Sequence, residues 1–194
     1  MKQNTSSRST RNREHLTQAE VESLLAASKQ NSRNSVRDYA MLLLMFRHGL
    51  RVSELCAIKL SDINVETKEF HVNRLNGCDS GVHELYNGES ASIKSWLIER
   101  AKLNPPEDCD TLFVSERRRP LSRCTVWLMI GQAAKAAGLE ALEIHPHMLR
   151  HSCGYALINK GTDIRIMQAY LGHRSISSTV RYSNLDSKRF AKLF

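Results

Sequence analysis

The chain has 194 residues, 41% hydrophobic and 25% charged, the balance of a soluble globular domain large enough for a core of its own. Its 28 Lys and Arg against 20 Asp and Glu leave a formal charge of +8, which points to a polyanionic partner, nucleic acid first. Five cysteines, at 56, 78, 109, 124 and 153, form no CxxC pair and support neither a disulfide framework nor a cysteine zinc knuckle, so free thiols are expected. The longest apolar run, "YAMLLLMF" at 39–46, is too short for a membrane span, and the N-terminus has no apolar signal segment.

Residues 1–14 are polar and basic and read as a disordered tail; residues 15–194 read as one domain with no separate N-terminal domain before it. "HLTQAEVESLLAASK" opens the first helix, with Thr17 and Glu20 as a capping box and Leu16 with Val21 as a hydrophobic staple. A second helix runs from about Ser35 to a stop at Gly49. "RVSELCAI" gives a short third helix, with Ser53 as its expected cap. "KEFHVNRL" and "VHEL" alternate around the turn "NGCDSG" and form a hairpin. Helix returns over 88–103 until Pro105-Pro106. "TLFVS" reads as a short buried strand and "ERRRPLS" as a basic loop. Ser122 caps a helix ending near Gly138, another runs from about 147 to Gly161, and Asp163 caps one ending at Gly172. "SISSTVRYSN" and "DSKRFAKLF" read as short helices, the latter with apolar Phe190, Leu193 and Phe194 able to dock on a neighbour or in cis. The sum is a mainly α fold with a small antiparallel sheet, and no βαβ alternation.

The chemistry concentrates in "HPHMLRHS" at 145–152. His147 and His151 share a helix face at the spacing of a zinc pair, but Met148 stands where a zincin has its glutamate. His147 and Arg150 also share a face, and a planar, permanently charged guanidinium suits two phosphate oxygens. Arg51, just beyond the stop at Gly49, offers a second fork, and His173 follows a glycine cap nine residues before Tyr182. A tyrosine hydroxyl attacks if a base takes its proton and cations stabilise the transition state. From these residues alone, both the metal and the phosphate readings stand.

Together, Arg51 in "GLRVSEL", His147 and Arg150 in "HPHMLRH", His173 in "YLGHRS" and Tyr182 in "STVRY" resemble the Arg–His–Arg–His–Tyr set of the tyrosine recombinases, the phage integrase family. The resemblance covers about residues 15–190 and is strongest to the small invertases of fimbrial phase variation. It implies the tyrosine recombinase catalytic-domain fold and a cofactor-free, metal-free reaction. Tyr182 would form a 3′-phosphotyrosyl link, Arg51 and Arg150 would clamp the phosphate, His147 would accept the tyrosine proton and His173 would hydrogen-bond the phosphate. Glu54 would orient Arg51, and His151 would support the site. The implied partner is double-stranded DNA with inverted-repeat sites, in a homotetrameric synapse of a cytoplasmic, nucleoid-associated protein, with no membrane. DNA specificity is expected from helices near 33–38 and 123–135 and from "ERRRP". One position departs from the pattern. The family's hairpin lysine, its general acid, is replaced by Asn76, leaving Arg74 and Lys68 as the nearest substitutes. A second reading follows from that departure, a DNA-binding regulator of the same fold with weakened catalysis.

Overall fold

The computed structural model describes residues 13–30, 32–75, 79–175 and 177–180. Thr17 and Glu20 form the expected box, Thr17 N donating to Glu20 Oε2 at 2.7 Å and Glu20 N to Thr17 Oγ1 at 3.3 Å. It opens α1 (Gln18–Gln30), whose apolar stripe packs on α2 (Ser35–Arg47) and α5 (Arg123–Ala136). The staple residues Leu16 and Val21 are both buried.

The α2 run Ala40–Met45 is buried on every side, because α1, α4 (Asn87–Leu103) and α6 (Pro146–Asn159) surround it. Trp96 of α4 closes the far side of this core, its indole N–H donating to Leu112 O at 2.9 Å; burying a side chain of that class contributes about 1.5–3 kcal/mol. Leu16 N donates to Ser152 Oγ at 2.8 Å, tying the start of the domain to α6.

The small sheet is antiparallel, in the order β1 (Ile63–Asn64), β2 (Glu69–Val72), β3 (Gly81–Glu84). Phe70 lies opposite His83, so the buried face of the hairpin points at the end of α2. The first strand is an addition to the expected hairpin. It is two residues long and turns back where Asn64 Oδ1 accepts from the N–H groups of Glu66 and Thr67, both at 3.0 Å. "TLFVS" is not a regular strand: Leu112, Phe113 and Val114 are buried, but only the isolated bridges Lys59–Thr111 and Val114–Pro120 form.

Ser122 and Asp163 cap α5 and α7 (Ile164–Leu171) as expected, Ser122 Oγ accepting from Thr125 N and Asp163 Oδ1 from Arg165 N. A single turn, α8 (Ser177–Val180), follows α7. Among the described residues Cys56, Cys109, Cys124 and Cys153 are free, and no helix is long and apolar enough to cross a membrane. Of the expected tail over 1–14, residues 1–12 lie outside the described residues, as do Asn76, Cys78, Tyr182 and the segment "DSKRFAKLF"; Arg13 is described and pairs with Glu20.

Candidate active site

The site grows from the stop of α2. Gly49 sits in the left-handed region at φ +57°, and Leu50 N closes back on Met45 O at 3.1 Å. The turn leaves the Gly49 carbonyl facing inward and starts α3 (Val52–Ala57) at once. Arg51, not Ser53, holds the cap position. The first-turn carboxylate is Glu54, which reaches back to Arg51 N at 2.8 Å. The expected Ser53 cap is therefore wrong by two residues: a glutamate three positions on satisfies the Arg51 N–H, while the Ser53 hydroxyl sits two positions too late.

The same Glu54 gathers three guanidinium groups. Arg51 Nη1 lies 2.6 Å from Oε1; Arg74 Nη1 lies 3.0 Å and Arg150 Nη1 3.8 Å from Oε2. Glu54 and Arg150 are almost fully buried, while Arg51 is partly open to solvent. Burial pushes the Glu54 carboxyl up, but the Arg51 backbone N–H and the guanidiniums of Arg74, Arg51 and Arg150 outweigh it and hold its pKa below the ordinary value. Arg150 also donates to Gly49 O and, at 2.6 Å, to Leu171 O. This joins α6 to both the α2 stop and the end of α7.

His173 stands just past that end. Gly172 is left-handed at φ +62°, and His173 N donates to Gln168 O at 3.0 Å. Its Nδ1 pairs with Thr179 Oγ1 at 2.9 Å. Burial first, then the charges of Arg150, Arg51, Arg74 and His151, lower the His173 pKa to about 4, so the ring is neutral near pH 7. His147, in the first turn of α6, is exposed at the mouth of a cleft of about 250 Å³ lined also by Arg51, Ser53, Trp127 and His145. Its ring meets the buried His151 edge-on at 4.5 Å. Among the described residues no third His, Cys, Asp or Glu joins that pair in a group able to hold a metal ion.

The structure thus brings Arg51, Glu54, Arg150, His151 and His173 into one electrostatic cluster with His147 at its edge; Tyr182 and Asn76 fall outside the described residues. The two expected substitutes for the hairpin lysine lie in different surroundings. Arg74 is buried, with both terminal nitrogens on acceptors: Glu54 and Gly49 O at one, His48 O (2.9 Å) and Tyr170 O (2.7 Å) at the other. Lys68 is exposed at the β1–β2 turn, at the other end of β2 from Arg74.

Sequence reasoning missed that Arg74 belongs to the cluster, and it missed the layer beneath. His48 Nε2 lies 3.0 Å from Glu89 Oε1 and its Nδ1 3.1 Å from His83 Nδ1, while the Tyr170 hydroxyl donates to Arg47 O at 2.9 Å. Of the expected DNA-reading elements, Arg37 is buried on Asp38 and Val114 O and is not available. Arg117, Arg118 and Arg119 are exposed on a tight turn, and α5 exposes Arg123, Trp127, Leu128 and Lys135, with Trp127 lining the cleft.

Residues 14–189 match the phage integrase family, and the chain belongs to it. It is 43% identical over 178 residues to the type 1 fimbriae regulatory protein FimB of Escherichia coli (strain K12), covering 92% of this chain and 88% of that protein. Its fold superposes on the crystal structure of XerA recombinase with a TM-score of 0.79 at 29% identity, over 91% of this chain and 62% of that one. The post-cleavage complex of the site-specific recombinase XerH with a palindromic difH substrate gives 0.79 at 25% identity, over 91% of this chain. The chain spans about half the length of XerH and three fifths of XerA.

Proposed function

We propose that the protein is a site-specific tyrosine recombinase that cuts and rejoins DNA, inverting a promoter element to control fimbrial phase variation. The observation that carries this reading is the junction of Arg51 and Arg150 through buried Glu54, beside His147 and neutral His173. Two guanidiniums held by one carboxylate keep a net positive site for a phosphodiester. Family membership, the FimB identity and the DNA-bound XerH neighbour support the same conclusion.

In this reading Tyr182 is the nucleophile. Its oxygen bonds to phosphorus as the P–O5′ bond breaks, its proton passes to His147, and the leaving 5′ oxygen takes up a proton. The bond energy stays in the 3′-phosphotyrosyl link, and a partner strand's 5′-hydroxyl reverses the step. Arg51 and Arg150 neutralise the non-bridging oxygens. The reading assigns the Thr179 hydroxyl as donor in its 2.9 Å contact with Nδ1, so that neutral His173 presents its Nε2–H to the phosphate. The DNA is a duplex with inverted repeats, four protomers form the synapse, and the setting is the cytoplasm, on the nucleoid. The catalytic domain comprises 15–194, behind a basic tail.

A nicked duplex with a 5′-bridging phosphorothiolate tests this, because its thiolate leaves without a general acid. The expected result is a covalent adduct that survives denaturing gels and vanishes in Tyr182→Phe. Duplex binding with no adduct favours the second reading, a DNA-binding regulator of the same fold, which Asn76 in the family's lysine position supports.

A further inference from the structure

Arg74 is a buried charge with no access to substrate. Its side chain is 1% exposed and its guanidinium meets four acceptors, Glu54 Oε2 and the carbonyl oxygens of His48, Gly49 and Tyr170. Those acceptors belong to the two segments that aim the site. His48 and Gly49 form the stop that launches Arg51, and Tyr170 is in the last turn of α7, three residues before His173. The Gly49 oxygen is also the acceptor for Arg150.

Burying a guanidinium is costly, and an apolar side chain of similar volume often serves stability as well or better. A lysine fills the same volume but cannot spread two nitrogens over four acceptors in a plane. Room is made for the fork: a Cβ on Gly172 would stand 2.8 Å from Arg74 Cγ and 3.0 Å from its Cδ. On the other side Arg74 N donates to Ser80 Oγ at 3.0 Å, so the residue also anchors the hairpin turn.

We propose that Arg74 is a positioning residue for DNA strand cleavage, which holds the 48–49 turn, the end of α7 and the hairpin in register so that Arg51, Arg150 and His173 converge on one phosphate. This rests on the recombinase reading. Arg74 touches no DNA; it acts through the carbonyl groups and Glu54.

The test uses the full chain and the phosphorothiolate duplexes, with flanks first selected by the wild-type protein from randomised sequence. Adduct formation, duplex affinity and melting temperature are measured for Arg74→Met, Arg74→Lys and a remote core control, Ile93→Val. Duplex affinity stays within about twofold, since the phosphate-contacting surface is untouched. Adduct formation falls roughly 10²-fold in Arg74→Met and at least about tenfold in Arg74→Lys, the scale of a small misplacement of catalytic groups, and is unchanged in the control. The acid limb of the rate profile moves to higher pH only in Arg74→Met. There one of the cations facing His173 is gone, while Arg51, Arg150 and His151 remain.

If the wild type forms no adduct, the recombinase reading falls and takes this inference with it. If the wild type forms adduct and both Arg74 variants keep pace within twofold, this inference alone is overturned. Failure of both variants to fold overturns it too, by making Arg74 a folding residue.

Discussion

Arg74, two residues past β2, and Arg150, from α6, donate to the same atom, the carbonyl oxygen of Gly49. Both also lie on Glu54 Oε2, at 3.0 and 3.8 Å. Two like charges held this close need the shared acceptors, and the Glu54 carboxylate supplies negative charge facing all three arginines. Removing its charge should therefore be severe. Glu54→Gln is expected to lose about 3–5 kcal/mol of stability in urea titration, the range for breaking a buried ion pair. A loss under about 1 kcal/mol, the scale of a surface pair, would show that the cluster is screened by water.

Stability should also fall with acid, and the histidines set the window. Burial, with neighbouring charge, holds His83 at about 3 and His173 at about 4, against 6.5 in an open chain. Both folded values are depressed, so the unfolded chain binds more protons between them and the open-chain value. Stability is full above about pH 6.5 and declines as pH drops through 4 and then 3. Urea midpoints measured from pH 7.5 to 4.5 should fall steadily below 6.5, and His83→Phe should flatten part of the slope. A midpoint constant down to pH 4.5 contradicts the burial of both rings.

At Gly172 the left-handed backbone and the Arg74 stem act together. Gly172→Ala is expected to cost about 1–2 kcal/mol for the backbone alone. Displacing Arg74 adds a loss of cleavage, so activity should fall further than the melting temperature suggests. Gly138→Ala has the same backbone strain but open space around its Cβ, and separates the two effects: comparable destabilisation with cleavage retained.

On the recombinase reading, Asn76 is where the chain departs from the family's lysine. Arg74 is held by four acceptors and Lys68 lies at the β1–β2 turn, so that reading assigns neither of them to the 5′ oxygen. Asn76→Lys should accelerate cleavage of ordinary DNA by about 10²–10⁴-fold, the usual worth of a general acid, while leaving the phosphorothiolate rate unchanged. Equal, fast cleavage of both substrates by the natural sequence would reveal an acid elsewhere.

What was legible in the sequence was whatever neighbours settle locally. Helix starts at Thr17, Ser122 and Asp163, stops at Gly49 and Gly172, and the placing of His147 and Arg150 on one helix all follow from spacings of a few residues. Arg51, His173 and Tyr182 joined them only through the resemblance to a family, because nothing in spacing alone brings 51, 150 and 173 together. Arg74 was visible merely as a basic residue near a turn. Its burial depends on partners as far along the chain as Tyr170, and no local pattern encodes that. Ser53 misled for the opposite reason: a good cap type is outcompeted when a glutamate sits at the third helical position.

One consequence concerns what variation can reach. The Gly49 oxygen on which both arginines converge belongs to the main chain, and every amino acid supplies one. No side-chain replacement deletes it; only a different path of the backbone moves it. The alignment of the arginines is thereby entrusted to chain geometry, and the exposed residues of α5 and the 115–120 turn are left free to diverge around it.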